Sequence, residues 1–158
     1  MNLPAFKRSC RRSRGNAMIE FAIASSLLIP AFSGVFQFGY TLYQYNLLSS
    51  AVTNGARYGS NRTFRTASGG SDLTKVKLAI QNVVVYGSPS GGTIPQVKGL
   101  TAANVAVNFT TVSGLPRSVT VGVINFTVNG IFKSYTFNSS PVATFPYTGR
   151  YAPEESEP

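Results

Sequence analysis

Arg11-Arg12-Ser13-Arg14-Gly15-Asn16-Ala17-Met18-Ile19-Glu20-Phe21 joins a basic patch to a lone carboxylate, and no charged residue follows until Arg57. The first part of that uncharged stretch, 21–42, reads FAIASSLLIPAFSGVFQFGYTL. At about 1.5 Å per residue, about 22 residues of helix span about 33 Å, the thickness of a bilayer's hydrocarbon core. Ser25, Ser26, Ser33 and Thr41 can bond back to their own helix carbonyls, which leaves Gln37 as the costly polar group. Pro30 removes one backbone hydrogen bond and is expected to kink the helix, a defect that membrane helices tolerate. Gly34 and Gly39 offer places where a second helix could approach closely. The alternative is a buried helix of a soluble protein, against which the length and the basic flank both weigh.

Lys7, Arg8, Arg11, Arg12 and Arg14 all precede the run, so the positive-inside rule puts the N-terminus in the cytoplasm and the remainder outside. The chain holds 14 basic and 5 acidic side chains; without those five basic residues its net charge falls from +9 to +4. Most of the basicity is therefore a topology signal. It gives no support to nucleic-acid binding, and the same five side chains could also touch lipid headgroups. A cleaved secretory signal would have a shorter apolar region and a nearby small-x-small site, whereas Ser49-Ser50-Ala51 comes too late. Cys10 follows Lys7-Arg8-Ser9, not the small apolar residues of a lipobox.

Glu20 is the anomaly. A carboxylate at mid-bilayer costs about 2.5–3.5 kcal/mol, less near the interface, and calls for compensation. The helix dipole would supply about 0.3–1 kcal/mol near an N-terminus. Chemistry alone leaves a dipole contact and a functional role equally open.

A glycine, four residues, then a glutamate and an aromatic, set between a basic leader and an apolar helix, resembles the processing motif of type IV prepilins. In that class a membrane prepilin peptidase cuts after the glycine, which here would be the Gly15-Asn16 bond. The resemblance implies that Glu20 becomes the fifth residue of the mature chain and pairs with the new amino terminus of an adjacent subunit. A narrower similarity covers 15–59. Its Arg14-Gly15 start, Glu20-Phe21, Gln37-Phe38-Gly39 and Gly55-Ala56-Arg57-Tyr58-Gly59 resemble the TadE-like proteins of the Tad (tight adherence) pilus system. Weaker similarity continues at 83–87, 95–100 and 145–151. Major Flp pilins usually carry tyrosine after the glutamate; Phe21 in that place favours a minor component.

The resemblance implies a TadE-like minor pseudopilin, processed after Gly15 and taking part in assembly of a Tad/Flp-type pilus for adherence. Its partners would be the prepilin peptidase, other pilin-like subunits, the pilus assembly platform and the lipid bilayer, with no nucleic acid and no cofactor. It would reside in the bacterial inner membrane with a periplasmic C-terminal domain, whether it enters the filament or only initiates it. The alternative is a single-pass, membrane-anchored envelope binding module that is never cut.

Beyond the span, 43–57 lacks proline, and Leu47, Leu48, Ala51, Val52, Gly55 and Tyr58 recur three and four apart, so the helix is expected to continue. A separate helix after a break near Asn46 is the alternative. The organisation expected is a basic cytoplasmic leader at 1–15, a long helix at 16–58 with its span near 21–43, a loop at 59–71, an α+β head at 72–152 and a disordered acidic tail at 153–158.

In the head, Ser71 or Asp72 can cap a second helix reaching Tyr86, with Leu73, Val76, Ile80, Val83 and Val84 on one face and Lys75, Gln81 and Asn82 off it. Gly87 stops it, and 88–99 is a long loop. From Asn104 the period becomes two: Val105, Val107 and Phe109, then Val119, Val121 and Val123 after Gly114-Leu115-Pro116. Asn129-Gly130 signals a hairpin turn, and 138–141 should join a second hairpin made by 135–137 and 143–145. The fold class is α+β and pilin-like: a long N-terminal transmembrane helix, then an amphipathic helix packed on a sheet of three or four antiparallel strands.

No catalytic set can be assembled. The sequence has no histidine, one cysteine in the leader, and two acids between Asn16 and Pro153. That leaves no carboxylate pair, nucleophile-base couple or metal cluster. Gly69-Gly70 and Gly91-Gly92 lack the Gly-Lys-Ser/Thr of a phosphate loop. Tyr147, Arg150 and Tyr151 could form an aromatic-basic contact, though such a trio is more often structural. Arg62 and Arg65 read as solvated.

Overall fold

The computed structural model describes residues 13–65, 69–113, 115–130 and 133–152. Along the chain come α1 (Ser13–Ser60), β1 (Phe64–Arg65), α2 (Gly69–Tyr86), a 3-10 turn (Ala102–Asn104), β2 (Val105–Val112), β3 (Leu115–Val123), β4 (Phe126–Val128), β5 (Tyr135–Phe137), β6 (Val142–Pro146) and β7 (Tyr151–Ala152). The chain divides into two compact units, Met1–Gly39 and Tyr40–Pro158. The basic leader residues Lys7, Arg8, Arg11 and Arg12 and the acidic tail 153–158 lie outside the described residues.

Helix α1 is unbroken at Asn46, and Pro30 sits inside it without ending it. In the second unit its apolar stripe enters the core: Leu48, Ala51, Val52 and Ala56 are at most 1% exposed. Arg57 in the last turn complements the negative end of the helix dipole.

Two glycines let α2 lie against this stripe. A Cβ on Gly55 would stand 2.3 Å from Cγ2 of Val84, and one on Gly59 would stand 2.5 Å from Cδ1 of Ile80. The missing side chains are the space that Val84 and Ile80, both 0% exposed, occupy. This packing gives the Gly55-Ala56-Arg57-Tyr58-Gly59 motif a physical reason within the chain. Val85, outside the expected apolar face, joins the same core. Gln81, expected off that face, is half-buried and donates from Nε2 to the carbonyls of Ala102 (3.3 Å) and Val105 (3.0 Å), tying α2 to β2.

Helix α2 begins at Gly69, so Ser71 and Asp72 fall inside its first turn, not at its cap. The expected loop 59–71 is shorter than its composition suggested: α1 runs to Ser60, and β1 pairs in parallel with β7, Phe64 opposite Tyr151 and Arg65 opposite Ala152. Such a pairing between segments so distant in sequence leaves no local pattern to read. Gly87 ends α2 with φ +77° and an amide that donates to the Val83 carbonyl at 2.9 Å, a left-handed stop that glycine reaches without strain. The stretch 88–99 is more than a connection. The Gln96 amide donates to the Val85 carbonyl at 2.7 Å, and Val97 and the following Leu100 are buried in the core.

The main sheet has the order β2-β3-β6 and is antiparallel throughout. Val107 faces Val121 and Phe109 faces Val119 across one ladder; Phe145 faces Val119 and Ala143 faces Val121 across the other. Val119, Val121 and Val123 are fully buried, as the central strand of a covered sheet requires. Strands β4 and β5 form a separate two-stranded ribbon, Thr127 opposite Thr136 with their hydroxyls 2.9 Å apart.

The expected hairpin of 135–137 with 143–145 is therefore wrong: β5 turns back on β4, and β6 adds to β3. Side-chain burial decides it. Ala143 and Phe145 alternate toward the face of Val119 and Val121, whereas Phe137 lies against Tyr45 of α1, ring centroids 5.7 Å apart. Asn129-Gly130 does lie between paired strands, but in a longer loop than a two-residue turn. The α+β class holds: an apolar N-terminal helix, a second helix, and a three-stranded antiparallel sheet with a two-stranded companion.

Candidate functional site

The N-terminal half of α1 is apolar all round and uncovered. Met18, Phe21, Leu27, Val35 and Phe36 are each more than 70% exposed, and Ile19, Ile23, Ile29, Phe32 and Phe38 more than 60%. These positions encircle the helix. Helices of that kind are stable only when lipid or other helices surround them. Among the described residues α1 is the one helix long and apolar enough to cross a membrane. Ser26 donates from Oγ to the Ile23 carbonyl at 2.8 Å, so its hydroxyl costs little in lipid. Gln37, the strongly polar side chain of the run, is buried.

Gly15 and Asn16 lie in the first turn of α1 and are exposed. A Cβ on Gly15 would meet nothing within 4 Å, and the same holds for Gly34 and Gly39. These three glycines thus differ from Gly55 and Gly59: no contact inside the chain requires them.

Glu20 is exposed and is the one acidic side chain among those described, since Asp72's side chain and the tail glutamates fall outside. It stands two turns into α1, whose first turn holds no acid. The dipole's influence fades within the first turn, so it compensates Glu20 poorly in the uncut chain. Phe21 beside it is 73% exposed. The structure brings Gly15, Asn16, Glu20 and Phe21 together on one helix end. Of the topology residues only Arg14 reaches the described helix, by its backbone alone.

Tyr147 is structural. Its ring packs on the core, its hydroxyl donates to the Arg62 carbonyl, and its amide donates to the Arg117 carbonyl at 2.9 Å. Arg150 is exposed, and the side chain of Tyr151 falls outside the described residues. Arg62, read as solvated, lies over the Tyr58 ring at 4.3 Å. No group of three potential metal ligands occurs among the described residues.

Sequence reasoning passed over Tyr40 and Gln44, which line a cavity in the second unit. Their spacing of four on a helix was legible; the facing wall, from residues 98–99 and 126–129, was not, because no local pattern joins it to α1.

In this chain an apolar helix long enough to cross a membrane precedes a small α+β head. The family model for TadE-like protein matches residues 15–57, from Gly15 to Arg57 in the last turn of α1. The resemblance read from the sequence therefore holds over the N-terminal helix, and with the apolar span it supports a Tad-pilus-related protein anchored in a membrane. TadE-like proteins are not a family of enzymes. No curated protein and no solved structure matches the chain.

Proposed function

We propose that the protein is a TadE-like minor pseudopilin that a prepilin peptidase cuts after Gly15 and that then takes part in assembling a Tad/Flp-type pilus. The observation that carries this reading is the uncovered apolar helix matched to the TadE-like family from Gly15 onward. Hydrolysis of the Gly15-Asn16 bond would remove the basic leader and create an ammonium group at Asn16. Glu20 would then stand at the fifth position, just past the first turn of the shortened helix and nearer the positive end of its dipole than in the uncut chain. An ammonium and a carboxylate buried among apolar helices each lower the other's desolvation cost, so one subunit's Asn16 and its neighbour's Glu20 form a contact suited to assembly. Gly34 and Gly39 allow close helix approach in that array. The leader basics hold the N-terminus in the cytoplasm and the head in the periplasm.

Cells lacking this chain are expected to lose Tad/Flp-type pili, counted by electron microscopy, and to regain them when it is restored. Normal piliation in its absence overturns the assembly role.

A further inference from the structure

The cavity at Tyr40 and Gln44 lies wholly in the second unit and has a volume of about 320 Å³. One wall is α1, where Tyr40 and Gln44 sit one turn apart; the other carries Lys98, Phe126, Val128 and Asn129. Its polar side chains include several that can donate. Gln44 is 7% exposed, yet its amide makes no hydrogen bond among the described residues. The sealed, unbonded side-chain atom among those residues is Tyr58 Oη, so the Gln44 amide keeps access to the cavity. Asn129 accepts the Ser134 hydroxyl on Oδ1 at 3.1 Å, which leaves its NH₂ free to donate. Lys98 adds a full positive charge with no carboxylate partner among the described residues.

The Gln44 amide opens to the cavity without a partner in the chain, and a ligand with several acceptor oxygens and one negative charge would take its N–H bonds beside Lys98. Placement narrows the class. Tyr40 belongs to the apolar run itself, in its last turn, is 47% exposed, and is followed by Tyr43 at 58%. Tyrosines at the end of an apolar span mark the membrane–water interface. Phe126 and Val128 give the cavity an apolar side beside its donors. We propose that this cavity binds the phosphodiester of an anionic membrane phospholipid, with Lys98 and the amides of Gln44 and Asn129 on the phosphate oxygens and the acyl chains left along α1. The proposal rests on the membrane placement of α1.

The test is native mass spectrometry of the full-length protein in detergent, offered phosphatidylglycerol and phosphatidylcholine in equal amounts. Phosphatidylglycerol should be retained in preference, and Lys98→Gln should lower its retention about five-fold, the effect of one interfacial basic charge. Gln44→Leu should lower it as well, whereas Lys75→Gln on α2 should not. Lys98 is exposed, so its variant decides the matter even if Gln44→Leu disturbs folding. Millimolar glycerol phosphate should fail to displace the lipid. Equal retention of both lipids, unchanged retention by Lys98→Gln, or displacement by glycerol phosphate overturns the lipid assignment. Recovery of the protein from cells in the soluble fraction would instead overturn the membrane reading beneath it.

Discussion

Gly55→Leu should unfold or severely loosen the head. The first added carbon would stand 2.3 Å from Val84 Cγ2 and 3.6 Å from Ile80 Cγ2, with the Ile80 backbone carbonyl at 3.5 Å. Neither side chain can step aside, because both are fully buried among Leu48, Val52 and Val119. Leucine recovers about 0.8–1 kcal/mol of helix propensity over glycine, but overpacking costs about 1–3 kcal/mol and more when the backbone must move. Three further carbons at this contact push α2 off α1, so a net loss of about 3 kcal/mol is expected. Against a total of about 5–15 kcal/mol, that lowers the thermal midpoint by about 10 °C or more, read by circular dichroism of the full chain in detergent. A midpoint within about 2 °C of the parent would mean that the glycine notch is not what seats α2. Leucine at Gly34, where nothing lies within 4 Å, should leave the midpoint unchanged.

Glu20→Ala should leave cleavage intact and abolish or sharply reduce pilus assembly. In the free chain Glu20 is exposed, so its removal costs the fold little. In an array of apolar helices its loss would strand the neighbour's ammonium without a counter-charge, a cost of about 3–5 kcal/mol for a buried pair broken on one side. That corresponds to a loss of more than about a hundred-fold in association. Glu20→Gln keeps the shape and an acceptor oxygen but not the charge, and should assemble almost as badly. Normal pilus numbers in either variant would remove the ammonium-pairing role while leaving the cut site untouched.

What the sequence disclosed and what it hid divide along the range of the interactions. The apolar span and the stop at Gly87 are local, set by period, length and one left-handed residue, and could be read directly. The β2-β3 ladder was legible because Val105, Val107 and Phe109 alternate just before the alternation of Val119, Val121 and Val123, with a tight turn between. The partners of β5 and β6 were not, since both are short and either could pair with its neighbour in sequence; burial of Ala143 and Phe145 on the face of β3 decides against that. The β1-β7 pair joins residues 64–65 to 151–152 and leaves no local trace. Gly55 and Gly59 were visible as a motif, but their reason, the volumes of Val84 and Ile80, emerges only in three dimensions. Within the candidate site, Gly15 and Glu20 were singled out by their spacing alone. Gln44 was not, because its significance depends on lacking a partner.

Whether the chain becomes a pilin subunit depends on one peptide bond, Gly15-Asn16. The measurement that tests it most directly is the N-terminal mass of the protein taken from cells with and without their prepilin peptidase. A chain beginning at Asn16 when the enzyme is present, a chain retaining the leader when it is absent, and a Gly15→Ala chain uncut in both is the result expected. An uncut leader in every case would contradict it, and would leave the chain a membrane-anchored module that never becomes a pilin subunit.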